Sequence, residues 1–127
     1  MEDKSRTRLV GMLGFAMRAG KVVIGTDIVC RTLPKAGRVK IVLVSDGASE
    51  STKNKVIGKC EFYSTEARII DLDTAELGRL LGKTYAPAVI GITDDRFADE
   101  IRKALGESDG DTTPIQRRKE VSSSGDR

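Results

Sequence analysis

Three stretches of this 127-residue chain carry residue types and spacings that could do chemistry. The first, Gly78-Arg79-Leu80-Leu81-Gly82-Lys83-Thr84, is built like a phosphate-cradling loop, in which backbone amides and a lysine hold the phosphates of a nucleotide. It is one residue short between the first glycine and Gly-Lys. Its glycines also lie within and at the end of a leucine-rich helical stretch, whereas such a loop follows a strand and opens a helix. Nucleotide hydrolysis is not expected. The second stretch, Asp94-Asp95 with Asp99-Glu100, could serve a metal or acid–base work. Asp94 is better placed as a helix cap, and acids in a first turn complement the helix dipole.

The third stretch, Gly25-Thr26-Asp27, opens a helix. Its free amides and positive dipole suit a phosphate, with Lys21 just before it and Arg31 one turn in. A plain capped helix, with an Asp27–Arg31 ion pair at i,i+4, is the alternative. Tyr85, in the loop Lys83-Thr84-Tyr85-Ala86-Pro87, could stack on an unpaired base or pack on the domain itself. Aromatic residues make up 4% of the chain, which leaves no platform for serial stacking along a single strand.

The chain has no histidine, so the commonest general base, the commonest metal ligand and every Ser-His or Cys-His pair are missing. No enzyme, cofactor or metal is expected. Cys30 and Cys60 fall on apolar helix faces and read as buried structural thiols. Two cysteines make no disulfide scaffold, and they fit a reducing cytoplasm. The N-terminal MEDKSRTR lacks the apolar stretch of a secretory signal, and no apolar run is long enough to span a bilayer. A cytoplasmic location is expected.

The net charge of +3 is unevenly spread. Residues 1–60 hold 12 basic against 5 acidic side chains, and residues 61–105 hold 6 against 9. A domain with one basic side suits a polyanionic partner, although an ordinary solvated surface accounts for the charge equally well.

The elements that must position these residues alternate. Leu9, Met12, Leu13, Ala16 and Met17 recur at helical spacing and Gly20 stops the helix. Val22-Val23-Ile24 is a short β-branched run. Thr26 is expected to cap a helix carrying Ile28, Val29 and Leu33 and ending near Gly37, with Pro34 bending it or ending it early. Val39 to Val44 predicts a strand buried on both faces, and Asp46 to Ser49 a turn, with Ser49 or Asp46 capping the next helix. That helix has Val56, Ile57, Cys60 and Tyr63 on one face, and Lys53, Lys55 and Lys59 displaced from it. Strands are predicted at Arg68–Leu72 and Ala88–Ile92, a short helix capped by Thr74, and a last helix capped by Asp94. The alternation predicts an α/β domain, a sheet covered by helices on both faces in a three-layer α/β/α sandwich, over residues 1–105. Residues 106–127 have too little apolar content to offset their ordering entropy and are predicted to be a disordered polar tail.

Four segments in order, LGFAMRAGKVVIGTDIV, IVLVSDGASESTKNKVIGKC, AELGRLLGK and AVIGITDDRFADEI, resemble the bacterial YlxQ-type proteins. These form a branch of the ribosomal-protein L7Ae/L30e superfamily of kink-turn RNA binders, and the resemblance covers about residues 7–105. It implies a four-stranded mixed sheet and a surface for structured, ribosomal-type RNA at one end of a monomer. The positions it assigns to that surface are Lys21, Ile24, Gly25, Thr26, Asp27 and Arg31, then Ser45 and Asp46, then Lys83, Thr84, Tyr85 and Ala86. Kink-turn binders carry Asn-Glu and a following lysine where this chain has Asp27, Ile28 and Arg31. Arg31 keeps the charge, but Ile28 offers no polar contact to a base. The competing expectation is a protein-interaction module that has kept the fold and lost specific kink-turn recognition.

Overall fold

The structure is a computed structural model that describes residues 3–106. The tail predicted for residues 106–127 lies outside the described residues except for Gly106. Helix α1 (Asp3–Arg18) leads to strand β1 (Val22–Ile24) and helix α2 (Thr26–Thr32). Strand β2 (Ile41–Ser45), helix α3 (Glu50–Phe62) and strand β3 (Glu66–Ile70) follow. Helix α4 (Thr74–Leu80), strand β4 (Val89–Ile92) and helix α5 (Asp95–Ala104) complete the fold.

The sheet order is β1-β4-β2-β3. β4 runs antiparallel to both neighbours, pairing Ile24 with Ile90 and Val44 with Val89, while β2 and β3 are parallel across the α3 crossover. Alternation along β2 builds two cores. Ile41 and Leu43 join Leu9, Leu13, Leu77 and Ile101 beneath α1, α4 and α5. Val42 and Val44 join Val29, Leu33, Val56 and Cys60 beneath α2 and α3. This is the α/β/α sandwich with a four-stranded mixed sheet that was expected, and the central strand is buried on both faces.

Local chemistry sets the ends of the elements, and several differ from expectation. Pro34 ends α2 early: the helix stops at Thr32, with Leu33 as its C-cap, well before Gly37. The N-cap of α2 is Gly25 and not Thr26, which is already the first helical residue. Gly25 has φ 110° and ψ 144°, a region in which a β-carbon is strained, so glycine allows β1 to turn directly into the helix. Asp73, not Thr74, caps α4. Its carboxylate accepts from the Glu76 amide while Glu76 reaches back to the Asp73 amide, a reciprocal capping box. Ser49 caps α3 and Asp94 caps α5. β3 enters the sheet at Glu66, two residues before its predicted start, and carries the buried Arg68, held by Glu66 at 3.2 Å.

No described helix is long and apolar enough to cross a membrane.

Candidate nucleic-acid interface

Strand direction gathers the site. β1, β2 and β3 all finish at the end of the sheet where β4 begins, because β4 is antiparallel to β1 and β2 and β3 is parallel to β2. At this end the Gly25 amide donates to the Val89 carbonyl at 2.8 Å, and the Ser45 amide donates to the Ala88 carbonyl at 2.8 Å. The start of α2, the β2–α3 turn and the loop entering β4 are therefore stitched together, although they lie some 20 residues apart or more in the chain.

Each of the three segments presents something different. At the first turn of α2 no side chain caps the backbone amides, so their donors point outward. Asp27, Ile28 and Arg31 are exposed, Ile28 by 44%. In the turn after β2, Asp46 is exposed but Ser45 is fully buried. The Ser45 hydroxyl donates to the Leu72 carbonyl at 2.6 Å and accepts from the Gly47 amide at 3.0 Å. Ser45 thus braces the turn from inside, and its side chain is not available to a ligand. In the third segment Thr84, Tyr85 and Ala86 are exposed, Tyr85 by 55%, while Pro87 is buried. Tyr85 is thus more exposed than covered by the domain.

The loop before β4 is held by its neighbour. A β-carbon on Gly78 of α4 would stand 2.5 Å from the Tyr85 carbonyl and 3.3 Å from Pro87 Cδ, so the bare backbone of α4 is what allows the loop to lie against it. The end of α4 sets Lys83. The Gly82 amide donates to the Arg79 carbonyl and the Lys83 amide to the Gly78 carbonyl at 2.8 Å, the paired bonds of a Schellman turn with Gly82 at φ 71°. The Gly78–Thr84 stretch that looked like a phosphate loop is this helix end.

Lys21 is set by the same kind of turn at the end of α1, its amide donating to the Ala16 carbonyl at 2.9 Å. However, Lys21 lies at the opposite end of β1 from Gly25, about 13 Å away by strand rise, where its carbonyl accepts from Thr93. It does not flank the start of α2. The Asp27–Arg31 pair does not form among the described residues either. Asp27 Oδ1 turns instead to Lys55 Nζ of α3, 4.0 Å away, and Arg31 has no acidic partner among the described residues. Lys55 is the neighbour that sequence spacing missed. It was visible as a lysine off the apolar face of α3, but only helix packing brings it to the first turn of α2.

On the α2–α3 side the rim carries Arg31 and Lys55 together with the exposed acids Asp27 and Asp46. On the β3 side it carries Asp71, bridged to Arg6 at 3.6 Å, and Asp73, which is occupied in capping α4. Beneath the α2–α3 contact lies the buried Cys60. Its thiol is pushed up to about 12 by burial and, to a lesser extent, by neighbouring Cys30. Cys30 is only half-buried, not fully buried as expected.

Chemically this surface can hold an anion or a flat ring. Among the described residues no group of three or more Cys, Asp or Glu could hold a metal ion. A shallow groove of about 280 Å³ lies elsewhere, lined by Val10, Leu72, Glu76, Arg79 and Leu80. Its Glu76 is already engaged by Arg6.

Comparison with known proteins accords with this architecture. The chain is 40% identical over 94 residues to the RNA-binding protein YlxQ of Bacillus subtilis (strain 168), covering 74% of this chain and 91% of that protein. It is 33% identical over 106 residues to the RNA-binding protein YlxQ of Enterococcus faecium, covering 83% and 98%. The 15.5kD RNA binding protein of Giardia lamblia superposes with a TM-score of 0.68, covering 87% of this chain and 92% of that one. At 13% identity, that likeness speaks for the fold alone. The model of the Ribosomal protein L7Ae/L30e/S12e/Gadd45 family matches residues 7–102, and this chain is a member of that family.

Proposed function

We propose that this chain is a non-enzymatic RNA-binding protein that grips a folded RNA of ribosomal type by shape. The observation that carries this reading is the convergence, at one end of the sheet, of the uncapped start of α2, the Asp46 turn and the exposed Tyr85 loop. The names of the two YlxQ relatives support it. In this reading the amides of Thr26 and Asp27 and the Arg31 and Lys83 side chains meet phosphates. Tyr85 stacks on an unpaired base, and Ile24, Gly25 and Ala86 allow close approach of the backbone. Ser45 acts by positioning and Lys21 lies outside the grip. Asp27, drawn toward Lys55, and apolar Ile28 stand where kink-turn binders carry Asn-Glu, so the bound RNA differs from a standard kink-turn in its base contacts.

The test is affinity for structured ribosomal RNA fragments over a range of salt. The expected outcome is a linear fall of log affinity with log salt, whose slope counts phosphate contacts. Tyr85→Ala is expected to cost about 1–3 kcal/mol of binding through lost stacking, with folding intact. Absence of binding at low salt overturns the proposal. The exposed Ile28 and Tyr85 side chains favour a second reading, a protein-docking tip. That reading requires partners that stay bound after complete nuclease digestion and are lost on Ile28→Asp.

A further inference from the structure

The topology makes α2 and α3 run in the same direction, since each leaves a strand that finishes at the same end of the sheet. The Asp27–Lys55 contact at 4.0 Å sets their register. A four-residue step along each helix, about 6 Å of rise, leads from Asp27 to Arg31 and from Lys55 to Lys59. On this register Arg31 and Lys59 fall at the same level, one turn below the tip. Both are exposed, and among the described residues neither has a carboxylate within 4.0 Å. Below them the turn that follows α2 exposes Lys35 and Arg38, which among the described residues also have no carboxylate within 4.0 Å.

On the other face of the sheet, three cations of α1 and α5 are matched by acids. Arg8 meets Glu100 at 3.1 Å, Arg102 meets Asp99 at 2.7 Å, and Lys103 meets Glu100 at 3.7 Å. Exposed cations with no carboxylate within 4.0 Å among the described residues thus run down the α2–α3 layer from the tip.

We propose that this α2–α3 ladder binds the phosphate backbone of a double-stranded RNA segment adjoining the structure held at the tip. The inference deepens the RNA-binding reading and rests on it for the class of partner. Cations spaced about one helical turn apart on two rigid elements match a regular backbone. No ring is interleaved among Lys55, Arg31 and Lys59, and exposed Phe62, one turn beyond Lys59 at the end of α3, is a single ring and not the series that a single-strand track requires. A-form RNA, whose deep groove side chains do not read, is held through backbone contacts of this kind.

The experiment measures binding of the full chain to an RNA duplex of about 16 base pairs and to one of its single strands, over a range of salt. The duplex is expected to bind more tightly than the strand. The double variant Lys59→Gln, Arg38→Gln is expected to lower the salt slope by about one per cation removed. Arg8→Gln with Lys103→Gln, on α1 and α5, should leave the slope unchanged. An unchanged slope in the Lys59/Arg38 variant, a single strand that binds as tightly as the duplex, or an acidic protein that displaces the duplex at equal charge overturns the ladder. Failure of the tip reading looks different. Structured fragments then bind no better than plain duplex and Tyr85→Ala has no effect, while the Lys59/Arg38 slope change still stands.

Discussion

The Tyr85 carbonyl lies 2.5 Å from where a β-carbon on Gly78 would be, so the exposed tyrosine of the tip is set by a glycine in the neighbouring helix. The opposing atom is backbone and cannot swing away as a flexible side chain could. Gly78→Ala is therefore expected to displace the loop of residues 83–88. The predicted cost is about 1–3 kcal/mol of overpacking, measured by urea denaturation, together with weaker RNA binding.

Two glycines in the first part of the chain should respond in opposite ways to alanine. At Gly25, φ 110° makes any β-carbon strained, so Gly25→Ala is expected to destabilise by about 1–3 kcal/mol and to re-aim the start of α2. Gly11 sits in α1 with open space around its Cα, and Gly11→Ala is expected to stabilise by about 0.5–1 kcal/mol through helix propensity. Thermal and denaturant unfolding of the two variants side by side checks both signs.

Ser45→Ala removes the partner of two groups inside the tip, the Leu72 carbonyl and the Gly47 amide. A loss of about 1–3 kcal/mol in folding stability is expected. RNA binding by the folded fraction should weaken through loosening of the turn, and the salt slope should stay the same, because no charge is removed.

The Cys60 thiol holds its proton to about 12, against an ordinary value of 9.0, because burial disfavours the thiolate. Unfolding exposes it. Since the folded pKa is raised, its contribution to stability is complete below about pH 9 and falls as pH rises toward 12. Unfolding free energies measured from neutral to alkaline pH should decline more steeply for the native chain than for Cys60→Ala. With a thiol reagent at neutral pH, half-buried Cys30 should react first and Cys60 only on unfolding.

Much of the architecture was legible from residue order because the signals are local. Valine and isoleucine runs marked the strands, Ser49 and Asp94 the helix starts, and Pro34 the early end of α2. The shifts were also local. Thr26 and Thr74 resemble caps, but a glycine with positive φ and an aspartate with its reciprocal glutamate occupy those places. The site was harder to read, since residue type does not tell which hydroxyl is buried or which acid a lysine meets. Ser45 turned inward to Leu72, Lys21 fell at the far end of β1, and Asp27 turned from Arg31 to Lys55.

The sequence by itself determined the alternation of helix and strand, the two-faced burial of β2 and the lack of histidine chemistry, because these follow from periodicity and composition. Only the tertiary structure decided that Gly25, Asp46 and Tyr85 share one end of the sheet and that Asp27 of α2 meets Lys55 of α3. The reason is that antiparallel pairing of β4 with β1 and β2, and the common direction of α2 and α3, are relations between segments distant in the chain, which no local pattern encodes.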